Sequence, residues 1–355
     1  MPRWRVSNGQ KKKIAMKVAM YYDQTDIRIE DRPIPEIGED EVLVHMKSCG
    51  VCGSDLMSWY LKERAPLVLG HEPAGVIAKK GTRVKDFDNG DRVFVHHHVA
   101  CLTCHYCLHG DYTLCKQFHE TNIDPGGFAE YFRVPAPNLQ MDTLKIPENI
   151  SDDEATLIEP IACCIRAIKK CNMQTGDVIA VIGAGTTGLI HAALSKIYGA
   201  SKTIVSDVLG YRLKLAERYG ADVTVNPKSE DLMEKVKAET EGRGVDLAIV
   251  TAPNIEAYVT AVKICRKGGK LCVFAPTSPE KSLSLSPKEL FFSELQIIPS
   301  YSTSHLETRT ALKLIETRRV DARGLVTHEF KLSETAQAFK TALDSRESLK
   351  VIVKT

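Results

Sequence analysis

Apolar residues between Met16 and about Pro147 fall in short alternating or continuous runs, such as 41–45 and 93–95, broken by Gly, Pro and Asp. A period of two between turn formers predicts strands, and many short ones in succession predict a β-rich unit. From Ser151 the texture changes. Helical spacing over 154–170 gives way to an unbroken Val178–Ile182, a helix over 188–198, a strand over 203–206 and a helix from Arg212. Further strands are expected at Val223–Val225, 247–251 and 270–274. Strands alternating with helices make βαβ units and a parallel sheet. The alternation stops at 296–301, and the strand-like 349–353 is expected to return to the first unit. The expected fold class is therefore α/β plus β. Residues 16–160 and 297–355 form the β-rich domain, 161–296 form the parallel-sheet domain, and 1–15 are a tail with no assigned function.

Length and charge narrow the class. A chain of 355 residues has room for two hydrophobic cores. Apolar content of 43% and charged content of 26% are ordinary for a soluble globular protein. A net charge of +2 sets up no field that would gather nucleic acid or anionic lipid. No apolar run approaches the roughly 18 residues of a spanning helix, so no membrane partner is expected. Arg3, Arg5 and Lys11 to Lys13 make the N-terminal segment basic, which reads as a solvated tail. Eleven cysteines without a secretory signal predict a reducing, cytoplasmic setting. There the ungrouped Cys163, Cys164, Cys171, Cys265 and Cys272 behave as small buried hydrophobes.

Four cysteines are grouped. Cys101, Cys104, Cys107 and Cys115 have the spacing Cys-x2-Cys-x2-Cys-x7-Cys on a stretch between strand-like runs. Four thiolates so placed can converge tetrahedrally on zinc as a closed structural site. A disulfide cluster fits poorly with the absence of a signal and with the length of the chain. An iron–sulfur cluster is the sharper competitor, although its fourth cysteine usually follows sooner and precedes proline. No Lys or Arg lies between Cys101 and Cys115, so a zinc lobe gripping nucleic acid is not expected.

Val178–Ile182 runs directly into Gly183-Ala184-Gly185-Thr186-Thr187-Gly188 and then into an apolar helix. That context raises a G-x-G-x-x-G string to a dinucleotide fingerprint. Gly183 permits the tight turn, Gly185 lets backbone approach a pyrophosphate, and Gly188 lets helix pack on sheet. Helix-terminal amides around Thr186 and Thr187 complete the anion cradle. Asp207 follows Gly188 by nineteen residues, at the end of the next strand, where it can accept both adenine-ribose hydroxyls and repel a 2′-phosphate. NAD is therefore expected over NADP. Arg212 is a nearby cation that could pair with a phosphate or flank the adenine.

Upstream, Cys52, His71 and Glu72 combine thiolate, imidazole and carboxylate, a set that suits zinc with one position left open. Gly50-Val51-Cys52-Gly53-Ser54-Asp55, Gly70-His71-Glu72, the cysteine loop, Gly126-Gly127-Phe128-Ala129-Glu130, Glu159-Pro160 and the glycine fingerprint occur in the order of the zinc-dependent medium-chain dehydrogenases. The chain resembles that family over nearly everything from Met16 onward, and Glu159-Pro160 resembles its sorbitol and threonine dehydrogenase branch.

The resemblance implies a GroES-like catalytic domain joined to a Rossmann domain, two zinc ions per chain and a homo-oligomer, dimer or tetramer. It implies that Cys52, His71 and Glu72 hold the catalytic zinc, with Glu159 binding directly or through water. Ser54 would pass on the alcohol proton, and Asp55 would orient the ligating imidazole, whose basicity rises when its other nitrogen meets a carboxylate. Many members carry a relay histidine where this chain has Met57, a side chain that cannot pass a proton. One of His96, His97 and His98 could replace it, His98 being the residue expected at the cleft. The implied substrate is a small secondary alcohol, with polyols and cyclitols ranked first and the β-hydroxyl of L-threonine second. A zinc- and dinucleotide-binding protein without activity is the competing class.

Overall fold

A computed structural model describes residues 15–355, so the basic segment assigned to the tail lies outside the described residues, except for Ala15, which opens a strand. The parallel sheet has six strands in the spatial order Val223–Val225, Lys202–Ser206, Val178–Ile182, Val245–Val250, Cys265–Val273 and Gln296–Pro299. Every neighbouring pair is parallel. This is the doubly wound order, in which chain progression reverses beside Val178–Ile182, and a crevice opens beyond the strand ends at that point. All five residues of Val178–Ile182 are buried, as a strand covered by helices on both faces requires.

The last strand corrects the expected domain boundary. Gln296–Pro299 pairs with Cys265–Val273, Ile297 lying against Leu271, so the cofactor sheet extends beyond residue 296. The other boundary, at 160/161, falls inside the helix Ile158–Lys170. The helix expected over 154–170 is also broken. Asp152–Ala155 is closed at its start by a Ser151–Glu154 capping box, and Ile158–Lys170 begins afresh. Pro160 has no N–H to donate backward, so it is tolerated in a first turn and not in the interior of a continuous helix.

The β-rich half is built on a mixed sheet of seven strands and a smaller three-stranded sheet that carries the first strand, Ala15–Asp23. Val42–Gly50 is central and pairs with Pro73–Lys80, Tyr131–Val134 and, from the far end of the chain, Lys350–Lys354. Ile352 sits opposite Gly50, which brings the C-terminal strand alongside the segment leading to Cys52. Asp142, fully buried, receives hydrogen bonds from Thr308 (2.6 Å) and Arg309 (3.1 Å) and so ties the helix His305–Glu316 to this half. Among the described residues no helix is long and apolar enough to cross a membrane.

Candidate active site

Cys52 ends the approach from Val42–Gly50 and caps a short 3-10 turn, Gly53–Leu56. The turn folds Asp55 back, so that its Oδ2 accepts from the Cys52 N–H (3.0 Å) while its Oδ1 lies 3.4 Å from His71 Nδ1. Asp55 is buried. The contact leaves His71 Nε2 as the nitrogen free for a metal. One ligand atom each from Cys52, His71 and Glu72 lie within 4.8 Å of one another. Glu72 is fully buried, and among the described residues its carboxylate faces the ammonium of Lys350. Burial opposes charge on His71, yet the Asp55 carboxylate and Cys52 hold it well above the ordinary histidine range. A divalent cation would take the place of that proton, and these residues fit zinc.

Lys350 forms an ion pair with Glu72 and donates to the Val51 carbonyl (3.2 Å). Sequence reasoning missed it. The available signal was a lysine at the buried start of an apolar strand. Glu159 lies on the helix Ile158–Lys170, outside the cluster of three, and its Oε1 accepts from the Cys163 thiol (3.2 Å). Four residues after Glu159 on the same helix is Cys163; the next residue, Cys164, donates to the Thr187 carbonyl (3.7 Å) at the start of the dinucleotide helix. One helix thus spans the metal cluster and the glycine loop. Ser54 is half-buried on the same turn as Cys52.

The three histidines have different partners. His96 Nδ1 meets Asp142 (2.9 Å) and His98 Nδ1 meets the Thr121 carbonyl (2.5 Å), both rings lying near Phe118. Burial pushes His98 down to about 3, so it stays neutral. The His97 ring lies between two others, its centroid 5.0 Å from that of His71 and 4.0 Å from that of His98.

In the cysteine lobe the four Sγ atoms also lie within 4.8 Å of one another and form no disulfide. Cys104 and Cys107 are 3.6 Å apart, and Cys101 and Cys107 are 3.9 Å apart. Zinc–sulfur bonds of about 2.3 Å in a tetrahedron put sulfurs about 3.8 Å apart, which matches. Hydrogen bonds from Thr103 bring Cys101 down to about 6, while burial and its neighbours push Cys107 up to about 12. Four crowded thiols cannot all ionise without a cation among them.

At the glycine loop, Gly183 has φ +106°, and a Cβ on Gly188 would stand 1.9 Å from the Gly183 carbonyl oxygen. Around Gly185 the space is open, the nearest atom to an added Cβ being Arg212 Nη1 at 3.6 Å. This is the cradle a pyrophosphate needs, at the start of the helix Thr186–Ile197. Asp207, buried, accepts from the amides of Ala184 (2.7 Å) and Leu209 (2.8 Å). Arg212 is engaged by the Ser345 and Ser348 carbonyls (2.9 and 3.2 Å) and lies 3.8 Å from Asp207.

Comparison with known proteins agrees with this geometry. Residues 38–148 match the profile of the alcohol dehydrogenase GroES-like domain, and residues 186–317 match that of the zinc-binding dehydrogenases. The chain is 35% identical to a sorbitol dehydrogenase of Bacillus subtilis, over 95% of this chain and 97% of that one. It is 30% identical to an L-threonine 3-dehydrogenase of Chromobacterium violaceum, over 95% and 97%. A zinc-binding dehydrogenase from Sinorhizobium meliloti solved bound to NADP superposes with a TM-score of 0.85 at 26% identity, covering 96% of this chain and all of that one.

Proposed function

The chain belongs to the zinc-dependent medium-chain dehydrogenases, in the branch of the sorbitol and threonine dehydrogenases, and from that premise we propose that it oxidises a polyol, sugar alcohol or cyclitol to the ketone with NAD as acceptor. The observation that carries the reading is the meeting of half-buried Cys52 and His71 with buried Glu72, next to Asp55. Zinc there supplies Lewis-acid polarisation of the alcohol oxygen, and the nicotinamide supplies the hydride acceptor.

The chain's own residues do the rest. Ser54 accepts the hydroxyl proton at Oγ and passes it outward, while the C–H bond breaks with its electron pair going to the nicotinamide. Asp55 fixes the His71 ring, Lys350 neutralises Glu72, and Glu159 would bind the ion directly or through its water from the helix Ile158–Lys170. His97 takes the place proposed for His98 beside the cluster. The open space over Gly185, with the amides of Thr186, Thr187 and Gly188, holds the pyrophosphate. Asp207 supports NAD over NADP, because its carboxylate closes the strand end where a 2′-phosphate would sit, and Arg212 is occupied by backbone carbonyls.

A second copy of the chain would cover the sheet edge at Gln296–Pro299. The preceding helix Pro287–Ser293 buries none of its residues and leaves Phe291 75% and Phe292 68% exposed. The deciding experiment is a panel of polyols, inositols and L-threonine read as reduced NAD, with NADP in parallel. L-Threonine as the best substrate would replace the polyol reading, and no turnover by zinc-loaded protein would favour a binding protein without activity.

A further inference from the structure

A buried guanidinium without a carboxylate stands at the base of the cysteine lobe. Arg166, on the helix Ile158–Lys170, is 7% exposed, its Nε has no partner among the described residues, and its Nη2 donates to Thr113 Oγ1 (3.2 Å). Thr113 is buried too, in the 3-10 turn Tyr112–Leu114, and the residue that closes this turn is Cys115. The Cys115 N–H donates to the Tyr112 carbonyl (3.2 Å) and its Sγ accepts from the Cys101 N–H (3.3 Å), so the turn and the thiol cluster form one unit. A second contact seats the same turn, the Tyr112 ring meeting that of His305 with centroids 5.2 Å apart.

Arginine is seldom buried unless an anion meets it, because an unpaired charge away from water is costly. No described carboxylate forms an ion pair with Arg166. Buried acids elsewhere in the fold have their own cations: Glu307 has Lys169, Asp142 has Arg309, Glu154 has Arg318 and Glu72 has Lys350. Residues 1–14, outside the described residues, contain no Asp or Glu. The cysteine lobe has the opposite deficit. Four thiolates around one divalent zinc leave a net double negative charge, and no Lys or Arg lies between Cys101 and Cys115 to balance it. Lys116, the next cation along the chain, stands in solvent, 86% exposed and paired with Glu120. A cation lacking an anion and an anionic centre lacking a cation are thus one hydrogen bond and two residues apart.

We propose that Arg166 is the countercharge of the four-cysteine metal centre, held beside it by Thr113, and that it fastens this lobe to the helix that carries Glu159 and reaches the glycine loop through Cys164. This role rests on the zinc reading of the lobe and goes beyond it, making metal retention depend on a residue outside the ligand set. Without metal the thiols keep their protons and the buried guanidinium balances nothing, so its burial is a cost. With metal the same burial is a gain.

The test replaces zinc by cobalt, whose thiolate-to-metal absorption is much stronger at a four-sulfur site than beside a single thiolate, so the lobe is read apart from the Cys52 cluster. Arg166→Met should speed removal of the lobe's cobalt by a chelator at least about tenfold, as expected when a buried charge loses its partner. Arg166→Lys, which keeps the cation, should recover most of that loss, and Thr113→Val, which removes the hydrogen bond and leaves the charge, should fall between Arg166→Met and the wild type. Cobalt held by Arg166→Met as firmly as by the wild type, or an equal loss in Arg166→Met and Arg166→Lys, overturns the proposal.

Stability supplies the sign. In urea, Arg166→Met should lower the unfolding midpoint of the zinc-loaded protein and leave that of the metal-stripped protein unchanged or higher. A side chain that merely packs would cost both forms alike, and that result also overturns the proposal. Stabilisation of the zinc-loaded wild type by added inorganic phosphate, absent in Arg166→Met, would overturn it by assigning Arg166 to a free anion. Failure of the zinc reading itself looks different: the wild type then shows no four-sulfur cobalt absorption at all.

Discussion

Lys350 and Glu72 face each other where water does not reach, the lysine side chain being 4% exposed and the carboxylate 0%. Burial disfavours the ammonium, yet Glu72 holds Lys350 above the ordinary lysine range. Removing one member of such a pair leaves the other charge uncompensated, which costs about 3–5 kcal/mol. Lys350→Met should lose that much stability to urea unfolding when metal-free, and less with zinc present, because a cation at the cluster compensates Glu72. Equal loss in both states would show that Glu72 does not face the metal.

Metal content and cofactor binding should come apart. Cys52→Ser and His71→Asn are expected to abolish alcohol oxidation and to lower zinc from two ions per chain to one, with NAD affinity by fluorescence quenching changed less than about threefold. Cys107→Ser should remove the other ion and unfold the cysteine lobe. Loss of NAD binding together with oxidation in the first two variants would contradict the separation of the sites.

Asp207→Ser should lower the NAD to NADP ratio of kcat/KM at least about tenfold, since the replacement neither accepts from the ribose hydroxyls as well nor repels a phosphate. An unchanged ratio would remove Asp207 from cofactor choice.

His191 gives the cofactor domain a pH-dependent weakness. Its Nδ1 meets the Thr187 carbonyl (2.8 Å), its Nε2 is buried without a partner, and burial brings it down to about 4. An unfolded histidine takes up a proton near pH 6.5 and the folded one does not. Stability is therefore complete above about 6.5 and declines as pH falls toward 4, by about 3 kcal/mol for this group. Urea unfolding between pH 7 and 4.5 should show the decline, and His191→Phe should flatten it; an equally steep curve in the variant would assign the pH dependence elsewhere.

Phe291→Ser with Phe292→Ser is expected to shift the assembled protein toward monomer in light scattering, with the far-ultraviolet spectrum retained. A monomeric wild type would leave this aromatic pair without a second copy to cover it.

Legibility in the sequence followed burial. Val178–Ile182 matches its apolar run to the residue, because an inner strand of a parallel sheet is apolar on both faces. Cys265–Val273 starts five residues before its apolar run, since Arg266, Lys267 and two glycines occupy its exposed beginning. Gln296–Pro299 was missed as an edge strand with polar ends. Within the site, the metal ligands and the glycine turn were readable because their chemistry is local. The choice among His96, His97 and His98 was not, since it depends on where Asp142 and Thr121 stand in space. Lys350 was hidden for the same reason: nothing near it in the chain calls for a charge.

The strand Lys350–Lys354 closes the catalytic sheet against residues that precede it by nearly the whole chain, with residues 73 to 349 intervening between Glu72 and Lys350. A contact so distant in sequence forms slowly if the intervening chain is loose, and its entropic cost falls once that chain is compact. If the inserted lobe folds first it shortens the search between the two ends, and damage to its core should then also surface as delayed acquisition of metal in the other lobe.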